Sequence, residues 1–217
     1  MNLHKQIYQE IEKEISELSF NIFFTEDQLS VYSNRISKLF MDISNEIESV
    51  SLVLYKKLSG PRDKISYRNC IRYIEAHSSV DSIPLLLNAN CGNFSPRERI
   101  LYPFDGWERS ESPSRSCGWY LAYQYLKHDK EKDKILSMRK YGTLHYLLTS
   151  LSALYLLNCC YSSDDSSKCS SMGSCFFTPV LKNPDGEYYV WKDVERAMTC
   201  VYLADELQTI LRQSPNN

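Results

Sequence analysis

Residues 29–58 read LSVYSNRISKLFMDISNEIESVSLVLYKKL. Leu29, Tyr32, Ile36, Leu39, Ile43, Ile47, Val50, Leu54 and Leu58 recur every three or four positions. That spacing lines side chains along one face of an α-helix. Gly60-Pro61 follows, and such a pair stops a helix. The pattern predicts one helix of about thirty residues, roughly 45 Å long at about 1.5 Å per residue, as a spine for the remaining elements.

The flanking segments read as further helices. Ile7, Ile11, Ile15 and Leu18 give residues 3–19 a single apolar stripe, and Asn21 to Asp27 breaks it. Tyr67, Cys70, Ile71 and Ile74 share one side of a shorter helix over 63–77. Residues 78–116 carry Pro84, Pro96, Pro103 and Pro113 and read as irregular, with a short strand over 83–87. The aromatic stretch 101–107 is expected to pack onto helices. Ser116 is a candidate cap for a helix through Trp119 to Lys130, and Asp129 to Lys134 would end it. Leu144, Leu147, Leu148, Leu151, Leu154 and Tyr155 then predict one long apolar helix over 135–158.

Beyond a Ser-rich loop over 161–174, the runs 175–181 and 187–191 flank Asn183-Pro184-Asp185-Gly186, a strong β-hairpin signal. Asp193 is expected to cap a last helix over 194–212. The predicted fold is mainly α: an antiparallel helical bundle with a C-terminal β-hairpin and final helix. One domain is expected, made of an N-terminal amphipathic helix (1–28), a helical core (29–160) and a C-terminal part packed on it (161–217).

Composition narrows the class. The chain has 217 residues, 43% hydrophobic and 24% charged, which suits a globular core. Met1 to Leu18 mixes Lys and Glu with no apolar run, so no secretory signal is expected. The longest apolar stretch, Leu144 to Cys160, is interrupted by His145, Thr149, Ser150, Ser152 and Asn158. A membrane span needs about 20 mostly apolar residues, so no membrane association and a cytoplasmic location are expected. None of the eight cysteines forms a C-x2-C pair, and Cys159-Cys160, Cys169 and Cys175 have spacings unsuited to a zinc ribbon or finger. Reduced thiols are expected, with no metal and no cofactor.

The chemistry-bearing stretch is 119–130, WYLAYQYLKHDK. On a helix His128 follows Leu121, Gln124 and Tyr125, while Lys127 follows Tyr120 and Tyr123. Neighbouring faces then present an imidazole and an ammonium. That pair suits general acid–base work on a phosphodiester. The same residues also suit a solvated helix C-terminus, where cations complement the helix dipole. Trp119 and Tyr123 are expected in the core, with Tyr120 and Gln124 as candidate binding residues.

The pattern Tyr102-Pro103-Phe104-x-x-Trp107, Ser112-Pro113 and Trp119-x-x-Ala122-Tyr123-x-x-x-Lys127-His128-Asp129-Lys130, followed by a Leu-rich helix, resembles uncharacterised prokaryotic proteins of the HEPN superfamily. Tyr32-Ser33 and Glu46-Ile47-Glu48 in the spine helix are similar too, so the resemblance covers roughly residues 29–160. It implies an α-helical bundle that often dimerises. It also implies a metal-independent endoribonuclease of defence or toxin–antitoxin systems, or a non-catalytic relative that binds a nucleotide, nucleic acid or partner protein. Under it, His128 would exchange protons, and Lys127 and Lys130 would neutralise phosphate. The signature of the nucleases is Arg, four to six residues, then His. Before His128 the qualifying positions hold Leu121, Ala122 and Tyr123. Arg139 and His145 do match it, but on a continuous helix they stand about 120° apart and would share a site only if the helix begins or breaks near Gly142, or if a partner chain brings in the other half. His128 therefore ranks above His145.

Glu46, at the edge of the spine's apolar stripe, is a third candidate binding residue, although a structural ion pair with a Lys or Arg of a neighbouring helix, or a solvated edge, also suits its position. His77 reads as a core-edge histidine, and His4 is uninformative. Residues 56–140 carry a net charge of +6 against −8 for the rest. A basic middle around Lys127-His128 suits RNA, a nucleotide or an acidic partner.

Overall fold

A computed structural model describes residues 3–59, 66–78, 80, 83–88, 91–104, 118–128, 134–163, 172–194 and 197–213. Among these the fold is mainly α, with two small antiparallel sheets. Helix α1 spans Leu3–Ser19, α2 Asn34–Ser59, α3 Tyr67–His77, α4 Gly118–His128, α5 Lys134–Tyr141, α6 Leu144–Ser162 and α7 Asp205–Arg212. The strands are β1 Leu85–Leu87, β2 Ile100–Leu101, β3 Phe177–Pro179, β4 Leu181–Lys182, β5 Tyr188–Val194 and β6 Ala197–Tyr202.

Helix α6 is apolar on nearly every side, and every residue from Leu147 to Cys160 except Thr149 is buried. A helix with no polar face must be enclosed by other elements. The stripe of α2 does most of this, burying Ile36, Leu39, Ile43, Ile47, Val50 and Leu54. Each such side chain contributes roughly 1.5–3 kcal/mol when fully removed from water. Tyr155 of α6 packs on Tyr8 of α1 at 5.7 Å and on Phe177 of β3 at 5.8 Å between ring centroids. No described helix is long and apolar enough to cross a membrane.

The spine starts later than its periodicity predicts. Helix α2 begins at Asn34, where Ser33 Oγ accepts from the Ile36 amide at 3.1 Å. Residues 29–32 do other work. The amides of Leu144 and His145, unpaired at the start of α6, donate to the Val31 and Leu29 carbonyls at 2.9 Å each, and Tyr32 bridges Thr143. A helix N-terminus leaves four amide donors to satisfy, and this segment takes two of them.

The long helix expected over 135–158 is two helices, α5 and α6, broken at Gly142 and Thr143. Gly142 is held by close approach: a Cβ there would overlap Ser37 Oγ and lie 2.9 Å from the Met138 carbonyl. The C-terminal region needs a larger correction. Asp193 does not cap a helix; it pairs with Met198 across the β5–β6 ladder, and the last helix starts only at Asp205. The run Thr199-Cys200-Val201-Tyr202 is β-branched and aromatic, which favours a strand, although Ala197, Val201 and Ala204 mimic helical spacing.

The predicted hairpin turn is present. Gly186 takes φ +82°, and the Asn183 amide donates to the Glu187 carbonyl at 2.9 Å. Its first strand is divided between two sheets: β3 joins the order β2-β1-β3, while β4 joins β4-β5-β6. Buried Gln208 of α7 accepts from the Tyr188 amide at 2.8 Å and donates to the Tyr188 carbonyl at 2.6 Å, pinning the last helix to β5.

Gly142→Ala is expected to lower stability by about 1–3 kcal/mol, as overpacking does, measured by urea unfolding. Adding Ser37→Ala should recover part of the loss and no more, because the Met138 carbonyl still meets the new Cβ.

Candidate functional site

The elements of α4 lie largely in the core. Trp119 is buried and donates its indole N–H to the Pro103 carbonyl at 2.7 Å. Tyr120 is half-buried against Tyr67, at 5.3 Å between ring centroids. Tyr123 is buried, and its hydroxyl lies 3.1 Å from both Asn45 Oδ1 and Glu48 Oε1 on α2. Lys127 Nζ donates to the Tyr123 hydroxyl at 2.8 Å and to Glu48 Oε1 at 3.4 Å, and sits 4.9 Å from the Tyr123 ring centroid. The Tyr123 bond is the main reason that the Lys127 ammonium titrates above its ordinary value. Lys127 thus ties α4 to α2. Both partners of the ion pair keep about a third of their surface in solvent, so its contribution is about 0–1 kcal/mol.

His128 is exposed as the last residue of α4, and Gln124 is half-buried. Lys130, Asp129 and the Ser116 cap lie outside the described residues. The structure therefore places His128 at a helix C-terminus and engages Lys127 with α2.

Glu46 meets a histidine instead of a Lys or Arg: His4 Nδ1 lies 2.6 Å from Glu46 Oε1, and both side chains are largely buried. The His4 ring also meets Tyr161 edge-on at 5.5 Å. Beside them, Lys57 donates to the Tyr161 and Ser163 carbonyls at 2.9 and 2.7 Å, serving the open C-terminus of α6. His77, expected at the core edge, is exposed; its ring stacks on Tyr73 at 3.8 Å and bonds the Tyr73 carbonyl through Nδ1.

Behind α1, buried Glu12 accepts from the hydroxyls of Tyr8 and Ser174, and Ser174 Oγ accepts from the Phe176 and Phe177 amides. These bonds anchor the chain before β3. Cys70, Cys91, Cys159 and Cys175 are not disulfide-bonded. Burial pushes Cys91 up to about 12 and Cys159 up to about 11, which keeps both protonated. Cys160 is disulfide-bonded, correcting the expectation of reduced thiols throughout. No described group of His, Cys, Asp and Glu has the arrangement of a metal site.

The break at Gly142 gives His145 its position. Its amide is held by the Leu29 carbonyl, and its own carbonyl accepts from Thr149 Oγ1 at 2.8 Å. His145, Thr149 and Glu98 line a cleft of about 350 Å³, walled by Leu29, Phe94, Tyr102 and Leu148. A concave, mainly apolar site with a few polar groups is the usual form of a ligand pocket. His145 keeps an exposed edge, yet the protein packed around its imidazole lowers its pKa below 6.5, and the Glu98 charge opposes that shift. Arg139 is exposed on α5 and does not line the cleft. Glu98 carried no sequence signal: it stands between Arg97 and Arg99 in a stretch without periodicity.

Compared with protein-family models, curated proteins and solved structures, the chain matches none.

The lowered His145 pKa fixes a sign for stability. The unfolded histidine takes up a proton near pH 6.5 while the folded one resists it, so the neutral form's stability is present above 6.5 and is lost as pH falls through the folded value. Urea midpoints measured from pH 7.5 down to 5 should therefore fall more steeply for wild type than for His145→Asn.

Proposed function

We propose that the chain is a HEPN-like component of a prokaryotic defence or toxin–antitoxin system that cleaves RNA without a metal, with His145 and Glu98 as its acid–base pair. It would act as a homodimer or beside a partner protein. One observation carries the reading: His145 and Glu98 line the same cleft. The Arg139-x5-His145 spacing spans a helix break, but Arg139 does not line the cleft and acts from outside it in this reading.

The chemistry follows from the protonation states. Metal-free cleavage of RNA requires that the 2′-oxygen attack phosphorus as its proton leaves, and that the departing 5′-oxygen gain one. With its pKa below 6.5, His145 is neutral at pH 7 and accepts the 2′ proton. The Glu98 carboxylate steadies the imidazolium so formed. That imidazolium returns its proton to the 5′-oxygen as the P–O bond breaks, leaving a 2′,3′-cyclic phosphate and a 5′-hydroxyl. Arg139 and the basic middle of the chain supply charge for the RNA backbone.

A second reading, a non-catalytic binding or scaffold subunit, is favoured by the cleft's lining, in which the described residues include no Lys or Arg.

The test is cleavage of total RNA by purified protein in EDTA. His145→Ala and Glu98→Gln should each reduce the rate by about 100-fold or more, while His128→Ala should leave it within a few-fold of wild type. Loss with His128→Ala and retention with His145→Ala would return the site to the end of α4. Absence of cleavage by wild type would leave the binding reading.

A further inference from the structure

We infer that Glu26 is a positioning residue of the cleft: its carboxylate anchors the turn that carries Glu98, and so holds Glu98 against His145. This rests on the reading that Glu98 and His145 work as a pair. Glu98 lies in a short turn. The Arg99 amide donates to the Ser95 carbonyl at 3.2 Å, and the Ile100 amide donates to the Arg97 carbonyl at 3.2 Å. The far end of the turn is tied to β1. There the Leu87 amide donates to the Arg99 carbonyl at 2.8 Å, and Arg99 Nε donates to the Leu87 carbonyl at 3.0 Å. The near end is Ser95, whose amide donates to Glu26 Oε1. Glu26 itself sits in one turn of 3-10 helix, Glu26–Gln28, in the connection between α1 and α2.

The same connection holds the other half of the pair. The Phe24 carbonyl accepts from the Asn93 amide at 2.9 Å, and Thr25 bridges Asn93. Gly92 permits this approach, because a Cβ there would overlap the Phe24 carbonyl. Further along, the Leu29 carbonyl accepts from the His145 amide, and the Val31 carbonyl from the Leu144 amide. Residues 24–31 thus hold the approach to Glu98 at one end and the first turn of α6 at the other. The backbone bonds at Asn93 place the chain ahead of the turn. Glu26 is the side chain that reaches forward to Ser95, where the turn begins.

Its chemistry suits an anchor. The Ser95 hydroxyl, and then the Ser95 amide, hold the Glu26 carboxyl below its ordinary value, so it is ionised at neutral pH. Hydrogen bonds to a carboxylate are shorter and stronger than those between neutral groups. Glu26 is exposed and does not line the cleft. It acts on His145 through Glu98, the charged group set against the imidazole. Tyr102 is the other titratable side chain of the described lining. A misplacement of about 1 Å at a reacting group can cost about 100-fold in rate, so an anchor outside the cleft matters to chemistry inside it.

Proton NMR of the His145 imidazole in the full chain tests this, with the resonance assigned by its loss in His145→Asn and the folding of each variant checked by circular dichroism. Glu98→Gln should lower the His145 titration midpoint by about 0.15–0.7, the range that an exposed charge pair spans. Glu26→Ala should lower it by about half that amount or more, because Glu98 is then free to move away from the imidazole. Glu26→Gln keeps an oxygen acceptor for Ser95 but no charge, and its midpoint should stay near wild type. In a Glu98→Gln background, Glu26→Ala should produce no further fall. An unchanged midpoint in Glu26→Ala overturns the inference. So does an equal fall in Glu26→Gln, which marks a direct effect of the Glu26 charge, or an undiminished fall in the Glu98→Gln background. The expected titrations without RNA cleavage would uphold the positioning role and remove the nuclease reading; cleavage by wild type with the midpoint unmoved in Glu26→Ala would do the reverse.

Discussion

Helix α6 has no face suited to water, and the rest of the chain is arranged to enclose it. Its buried run from Leu147 to Cys160, with Thr149 as the exception, is wider than any single partner can cover. The stripe of α2 takes one side, Tyr8 of α1 and Phe177 of β3 meet Tyr155 on another, and Trp119 and Tyr123 of α4 join the same core. An all-round apolar helix is stable in water only under such cover. This explains why elements as distant in sequence as α1 and β3 converge on one residue.

The ends of α6 are as constrained as its middle. Peptide groups unpaired at a helix terminus are costly to bury. At the N-terminus the Leu29 and Val31 carbonyls take two amides, and at the C-terminus Lys57 reaches the Tyr161 and Ser163 carbonyls. Segments before and within α2 thus fix both ends of α6. The same bonds draw residues 29–32 out of the spine helix. They also place His145, in the first turn of α6, at the wall of a cleft shared with Glu98.

The two histidine environments differ in what their neighbours leave available. Around His128, Lys127 is engaged by Tyr123 and Glu48, and the aromatics of α4 are packed inward. Their sequence pattern suggests a binding face, but their geometry ties α4 to α2. Around His145, the imidazole lines a cavity, and the protein packed around it lowers its pKa against the opposing Glu98 charge.

Sequence periodicity alone determined the helices whose apolar side chains repeat cleanly. Residues 3–19 and the body of the spine are where Ile11, Ile15, Ile43 and Ile47 put them, and the turn at Asn183 to Gly186 follows from Gly186 needing positive φ. Burial acts on every third or fourth residue, so it leaves a readable trace. The break at Gly142, the late start of α2 and the strand β6 left no such trace, because each depends on a partner far along the chain: Ser37 against Gly142, Thr143 beside Tyr32, β5 beside β6. The site was divided in the same way. His145 could be found in an Arg-x5-His spacing, but the choice between it and His128, and the presence of Glu98 beside it, depended on contacts between segments that no local pattern encodes. Residue types and their spacing fixed which helices form; hydrogen-bond satisfaction and enclosure in three dimensions decided where they break and which side chains line the cleft beside His145.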